Sequence, residues 1–206
     1  MRVLSFFLVF FCLILSPLSA ADPDQILEQL YSEVLSHDIV QGEYIQNKVL
    51  RKINHTISSR GTFVIEAGHG ILFNVKEPFA SDIVVGWDRL VQRMPDGTVS
   101  IMDGSENAIF RQMADIVSSV FMNDLQQLKK NFDVSVEKKD GSYVISLIPF
   151  DSLLHGAIPL IVIGVSDAVD SVLLHEGNGN TVEYIFSGHT YPERLGEYEE
   201  SLFSLQ

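Results

Sequence analysis

Ser58-Ser59-Arg60-Gly61-Thr62-Phe63-Val64-Ile65-Glu66, the Gly68-His69-Gly70 turn and Ile71-Leu72-Phe73 decide the fold. An antiparallel sheet packed on one side alternates apolar and polar residues. Here Phe63 and Ile65 fall on one face and Val64 on the other, and Ile71-Leu72-Phe73 again loads both. Ile83-Val84-Val85, Leu160-Ile161-Val162-Ile163 and Val182–Phe186 repeat the pattern. A sheet apolar on two faces needs two coverings, and the helices of this chain are expected to supply one at most. A strongly curved sheet can use its concave face as the second apolar compartment. Two readings follow. Either the compartment is ordinary core, filled by its own side chains as in small barrels, or it is a cavity for an apolar ligand. A fatty chain gains about 0.8 kcal/mol per buried CH₂, so a modest groove would suffice for the second.

Outward from that stretch, short strands with turn punctuation run from residue 40 to 102. The spacing predicts Gly42–Leu50, Ser58–Glu66, Gly70–Val75, Asp82–Trp87, Leu90–Met94 and Thr98–Met102, divided by Glu77-Pro78, Pro95-Asp96-Gly97 and Asp103-Gly104. No helical crossover fits between them, so the arrangement is an antiparallel meander. Ahead of it, Ile26, Leu27, Leu30, Tyr31, Val34 and Leu35 form one stripe of an amphipathic helix over Pro23–Ser36. After it, Ile109, Phe110, Met113, Ile116, Val117, Val120 and Phe121 recur at helical period, and Leu125, Leu128 and Phe132 continue a shorter helix or turn. Strands return at Asp133–Lys138, Tyr143–Ile148, Pro159–Val165, Val172–His175 and Thr181–Ser187, with a helical turn at Phe150–His155. The tail, 193–206, is polar and acidic, with Leu202 and Phe203 as its anchors. The class is α+β, one domain, built on an antiparallel sheet of about 11 strands.

The chain has 206 residues, 14 basic and 27 acidic, for a formal charge of −13, and a mean hydropathy of +0.18. Such acidity argues against nucleic acid, whose phosphates need a basic footprint, and against a polybasic membrane-surface protein. A 46% hydrophobic content excludes disorder. The single cysteine excludes a disulfide scaffold.

Residues 1–21 have the layout of a secretory signal peptide: Arg2, an apolar run from Val3 to Leu15, then Ser16-Pro17 and the small residues Ser19-Ala20-Ala21. The run is short of the roughly 20 residues of a membrane span; an uncleaved anchor is the other reading. Cleavage would remove Arg2 and Cys12 and leave residues 22–206 as a single exported domain. In a Gram-negative cell its compartment is the periplasm.

Catalytic signatures are absent. The six histidines, His37, His55, His69, His155, His175 and His189, show no metal-ligand spacing. Gly164-Val165-Ser166-Asp167-Ala168 lacks the final glycine of a nucleophile elbow and reads as a turn. Asp96-Gly97 and Asp103-Gly104 lack the carboxylate ladder of a calcium loop. No enzyme activity and no cofactor are expected.

Several stretches together resemble the LolA-like outer-membrane lipoprotein carriers. Gly42-Glu43-Tyr44-Ile45-Gln46-Asn47-Lys48-Val49-Leu50 is similar to their G-x-F/Y-x-Q-x-K-x-L strand. Ser58-Ser59-Arg60-Gly61-Thr62-Phe63 is similar to S-S-x-G-x-F, and Gly70-Ile71-Leu72-Phe73 followed by Glu77-Pro78-Phe79 to G-x-x-W/F…P-F. The likeness spans the mature chain in order and identifies a divergent branch. It implies an incomplete antiparallel β-barrel closed by an α-helical lid, with a cavity between them for acyl chains. The implied cargo is an acylated lipoprotein or a related lipid, received from an inner-membrane ABC-type exporter and passed to an outer-membrane acceptor by a monomeric carrier. On this resemblance Phe63, Ile65, Phe73, Val85 and Trp87 are the cavity candidates, and Phe110, Met113, Val117 and Phe121 face it from the lid. Helix–sheet packing is the plain alternative for each.

One departure matters. The best-known carriers pin the lid with an arginine in the strand after the first turn, whereas His69-Gly70-Ile71-Leu72-Phe73 contains none. Arg60, Arg89 and Arg111 are the substitutes the sequence offers. Two other functional classes stay open at this stage: an envelope lipoprotein-sensing regulatory domain of the same fold, and an exported hydrolase.

Overall fold

The computed structural model describes residues 23–34, 37–86, 89–103 and 125–205. Eleven strands form one wholly antiparallel sheet. In chain order they are β1 Ile39–Leu50, β2 His55–Glu66, β3 Gly70–Glu77, β4 Ser81–Val85, β5 Arg89–Arg93, β6 Val99–Asp103, β7 Phe132–Lys139, β8 Ser142–Pro149, β9 Leu160–Val165, β10 Val169–His175 and β11 Thr181–Thr190. Their spatial order is β6-β5-β4-β3-β2-β1-β11-β10-β9-β8-β7. β6 and β7 are the edges, and β1 joins the two meanders by pairing with β11. The sheet is an incomplete barrel, as the family resemblance implied.

Four helices accompany it among the described residues: α1 Pro23–Glu33, α2 Leu125–Asn131, α3 Ser152–Ala157 and α4 Glu197–Phe203. The expected first helix ran on to Ser36; α1 stops at Glu33, with Val34 in a turn, and residues 35 and 36 lie outside the described set. Asp151 starts α3, its carboxylate accepting from the Leu153 and Leu154 amides at 2.9 Å each, which offsets two of the unpaired donors at a helix start. Lys129 ties α2 to Asp24 of α1 at 2.8 Å. The predicted helix over residues 106–121 lies outside the described residues.

Cross-strand register assigns the faces. Phe63, Ile65, Ile71, Tyr44, Ile145, Leu147, Ile161, Ile163, Val182 and Phe186 pack on the concave side with Leu27, Leu30, Leu125, Leu128 and Leu154 from α1, α2 and α3. Val64, Leu72, Val84 and Val91 form one straight row on the convex side, each opposite the next. That row is sealed by Leu202 and Phe203 of α4. Helices thus cover parts of both faces, and the expectation of one covered face is corrected. The acidic tail folds as a helix that buries Leu202 and Phe203 against the sheet.

Candidate functional site

The concave face carries two cross-strand rows. Phe63 pairs with Phe73 and Phe73 with Ile83. Ile65 pairs with Ile71, then follow Val85, Leu90 and Met102 across β4, β5 and β6. The two glycines of the resembling motifs make this packing possible. A Cβ on Gly42 would stand 2.9 Å from the Phe63 ring and 2.5 Å from the Ser187 carbonyl oxygen. A Cβ on Gly61 would collide with the Asn74 carbonyl, at the irregularity where β2 shifts register against β3.

Burial along the second row falls off steadily. Ile65 and Ile71 are buried, Val85 and Leu90 are half-buried, and Met102 is 50% exposed. The helices explain the gradient. α1 and α2 pack on β7, and α3 on β8, so they fill the concave side beneath the second meander. Among the described residues the β3–β6 half of that face is less covered. Phe63, Ile65, Phe73 and Val85 are thereby gathered on one surface; Trp87, Phe110, Met113, Val117 and Phe121 lie outside the described residues.

Rings stack along the floor of the barrel. Phe63 meets Phe186 edge-on at 4.9 Å between centroids, and Tyr44 meets Phe73 at 4.9 Å. Tyr184 bridges them, 5.7 Å from Phe73 and 6.1 Å from Phe186. Such aromatic pairs add about 0.5–1.5 kcal/mol each beyond area burial. Burial pushes the Tyr184 hydroxyl up to about 12, with Tyr44 opposing its ionisation as well. Tyr44 is raised by burial too, against a hydrogen bond to Ser59. Both phenols are neutral at physiological pH, so this floor is apolar and uncharged.

Near α1 a crevice opens between Val34, His37, Val40, Phe63, Ile65, Val169, Phe186, His189 and Tyr191. Its free volume, about 20 Å³, admits about one water. His37 stacks on Tyr191 at 3.9 Å. His189 Nε2 donates to the Val169 carbonyl at 3.1 Å, which fixes the proton on that nitrogen. Two surface clefts are larger and have mixed linings: about 450 Å³ between α4 and the Glu66–His69 turn, and about 410 Å³ beside α3 and the Glu176–Asn178 turn. Among the described residues no three His, Cys, Asp or Glu side chains converge as for a metal ion.

Sequence reasoning missed a polar cluster on the convex side. Asp82, 7% exposed, accepts from Asn74 Nδ2 at 2.6 Å, from Arg93 Nε and Nη2 at 3.1 and 2.9 Å, and from the Tyr198 hydroxyl at 2.8 Å. Arg93 also lies over the Tyr198 ring, 5.1 Å from its centroid. This arginine fastens α4 to the sheet. Of the expected substitutes, Arg60 is bound to Glu77 at the surface at 2.6 Å, Arg89 sits opposite Asp103 at the sheet edge, and Arg111 lies outside the described residues. The signal for Arg93 was its pairing with Asp82 across the β4–β5 hairpin, visible only once the register is known.

No curated protein matches the chain. Among solved structures, it is similar to a LolA superfamily protein from Nitrosomonas europaea, at 10% identity over 89% of this chain and 98% of that one, with a TM-score of 0.49. A DUF1329 family protein from Desulfovibrio piger gives 12% identity over 90% and 100%, also with a TM-score of 0.49. The model of the family described as outer membrane lipoprotein carrier protein LolA matches residues 36–205. That span takes in all eleven strands and α4, and the chain belongs to the LolA family.

Proposed function

We propose that the chain is an exported periplasmic carrier whose concave face shields the acyl chains of a lipoprotein, or of a related lipid, on the way from inner to outer membrane. One observation carries the reading. The apolar rows of the concave face run from buried Ile65 and Ile71 to half-buried Phe73, Val85 and Leu90 and exposed Met102 without a charged side chain among them. Among the described residues this graded face is less covered than the half under the helices, and apolar surface of this kind marks a ligand-binding groove. Membership of a lipoprotein-carrier family supports the choice of cargo. The cargo contacts this half of the sheet rather than the one-water crevice beside α1.

In this reading residues 1–21 are the cleaved leader, residues 22–206 the working monomer, and Trp87, Phe110, Met113, Val117 and Phe121 the lid side of the cavity. An inner-membrane ABC-type exporter loads it and an outer-membrane acceptor unloads it. Handing cargo on needs no catalysis or cofactor.

Native mass spectrometry of protein purified from its own periplasm tests the proposal. Co-purified acylated peptide or lipid is expected, and it should be lost in Val85→Asp and Phe73→Asp. Phe63→Asp is uninformative, because Phe63 is 2% exposed and a charge there disrupts folding. Folded variants with undiminished lipid, or a ligand-free wild type, would end the carrier reading.

A further inference from the structure

We propose that the barrel mouth formed by the β1–β2, β3–β4 and β8–β9 connections docks on the surface of a phospholipid bilayer. The antiparallel order brings these three connections to the same end of the sheet. Each presents a large apolar side chain to solvent: Ile53, 67% exposed, Phe79, 79% exposed, and Phe150 with Leu153.

Geometry pushes two of the tips outward. β3 stops pairing with β2 at Arg60 opposite Glu77, whereas β1 and β2 stay paired to Leu50 opposite His55. The five extra residues of β2 carry the Ile53 tip about 17 Å past the end of β3. The far side of this finger is braced: Lys48 binds Glu176 at 2.7 Å and the Arg51 amide donates to Asn180 Oδ1 at 3.1 Å. Phe79 caps the neighbouring β3–β4 turn.

Charge selects the occupant. The Ile53 turn carries Arg51 and Lys52 and no acid, in a chain whose overall charge is −13. At this end Glu77 is paired with Arg60, Glu176 with Lys48 and Asp151 with the α3 amides, and Asp96 of the β5–β6 turn accepts from the Thr98 amide. Asp38, Glu66, Asp167 and Asp170 lie at the opposite end of the strands. The Ile53 turn, basic and without an acid, is therefore the part of this mouth that an anionic bilayer attracts. Lipid also suits the spacing of the tips better than a protein would. They stand on separate connections, with the polar turn of residues 176–180 between the Ile53 and Leu153 positions. A protein partner needs a continuous packed patch; a bilayer interface takes up each apolar wedge singly.

The proposal is independent of acyl cargo, so the two fail separately. The test is flotation with vesicles of phosphatidylethanolamine and phosphatidylglycerol. Wild type should float, Ile53→Asp/Phe79→Asp should lose at least about tenfold in partitioning, and Ile101→Asp, at another exposed position, should not. Arg51→Glu/Lys52→Glu should weaken flotation on these vesicles and leave it unchanged on phosphatidylcholine. In Phe79→Trp, brominated acyl chains should quench fluorescence beyond the level seen for the parent's single tryptophan, a readout that survives even if the double variant misfolds. A wild type that stays at the bottom, a double variant that floats normally, Ile101→Asp failing equally, or absent quenching would each overturn the proposal. So would cross-linking from position 79 that yields a protein and no lipid.

Discussion

Tyr198 of α4 donates its hydroxyl to Asp82 Oδ2 of β4 at 2.8 Å, and Arg93 Nη2 of β5 donates both to that carboxylate and to the same hydroxyl, the latter also at 2.8 Å. One nearly buried carboxylate ties the β4–β5 hairpin to α4, 116 residues further along the chain. The cluster sits beside the apolar row that α4 covers, so polar and apolar contacts hold the same helix. A buried carboxylate is stable only while its partners remain.

Tyr198→Phe should cost about 1 kcal/mol, the net worth of one hydrogen bond, and Asp82→Asn about 2–3 kcal/mol, because Arg93 then loses its counter-charge. The double variant should cost less than the sum, with a coupling of about 1 kcal/mol. Urea denaturation of the four proteins measures it. Strict additivity would mean that the hydroxyl and carboxylate act separately.

Leu202, fully buried against Val64, Leu72, Val84 and Val91, is the apolar half of the same attachment. Leu202→Ala should cost about 2–5 kcal/mol. If α4 detaches first, the variant should bind a hydrophobic dye and gain amide exchange in β3 and β4 before the global transition. A simple loss of stability with unchanged exchange would show that α4 unfolds only with the whole sheet.

The strand count, the antiparallel order and the two-faced loading of β2 were legible because they rest on local alternation and turn residues. Counting in twos put Phe63 and Ile65 on one face of β2, but which face of β3 and β4 lines the cavity, and so the grouping with Phe73 and Val85, came only with the register. What covers Val64 was not legible. Leu195, Tyr198, Leu202 and Leu205 do stand at helical spacing, but four acids between Glu193 and Glu200 dilute the stripe until it reads as a solvated tail. Arg93 was hidden differently. Its partner is 11 residues away on the next strand, and a one-residue slip in the β4–β5 turn would put the two on opposite faces.

Glu176 tests the brace on the Ile53 finger. Burial pushes its carboxyl up, but hydrogen bonds from Lys48, Asn178 and Asn180, with the charge of Lys48, outweigh burial and hold it below the ordinary 4.5. A depressed carboxylate contributes stability that is present above the unfolded value and lost as pH falls through the folded one. Glu176→Gln should therefore be less stable near neutrality and approach wild type below about pH 4.5. Parallel stability curves across that range would mean the ion pair contributes nothing.

Tyr184 gives the opposite limb. Its hydroxyl is raised by burial, and further by Tyr44, from 10.0 to about 12. Once pH exceeds 10 the unfolded chain releases this proton and the folded chain does not. Stability that is intact below pH 10 is then lost progressively up to about 12, by about 2–3 kcal/mol at the end of the range. Tyr184→Phe removes the titrating group and keeps the ring against Phe73 and Phe186, so its alkaline decline should be shallower while its neutral stability changes little. Tyr44 still titrates in that variant, so some slope persists. A bound acyl chain on this floor would keep both phenols dry, and ligand-loaded wild type should resist alkali further than the stripped protein. Equal decline in loaded and stripped samples would place the ligand away from the Tyr184–Phe73 rings.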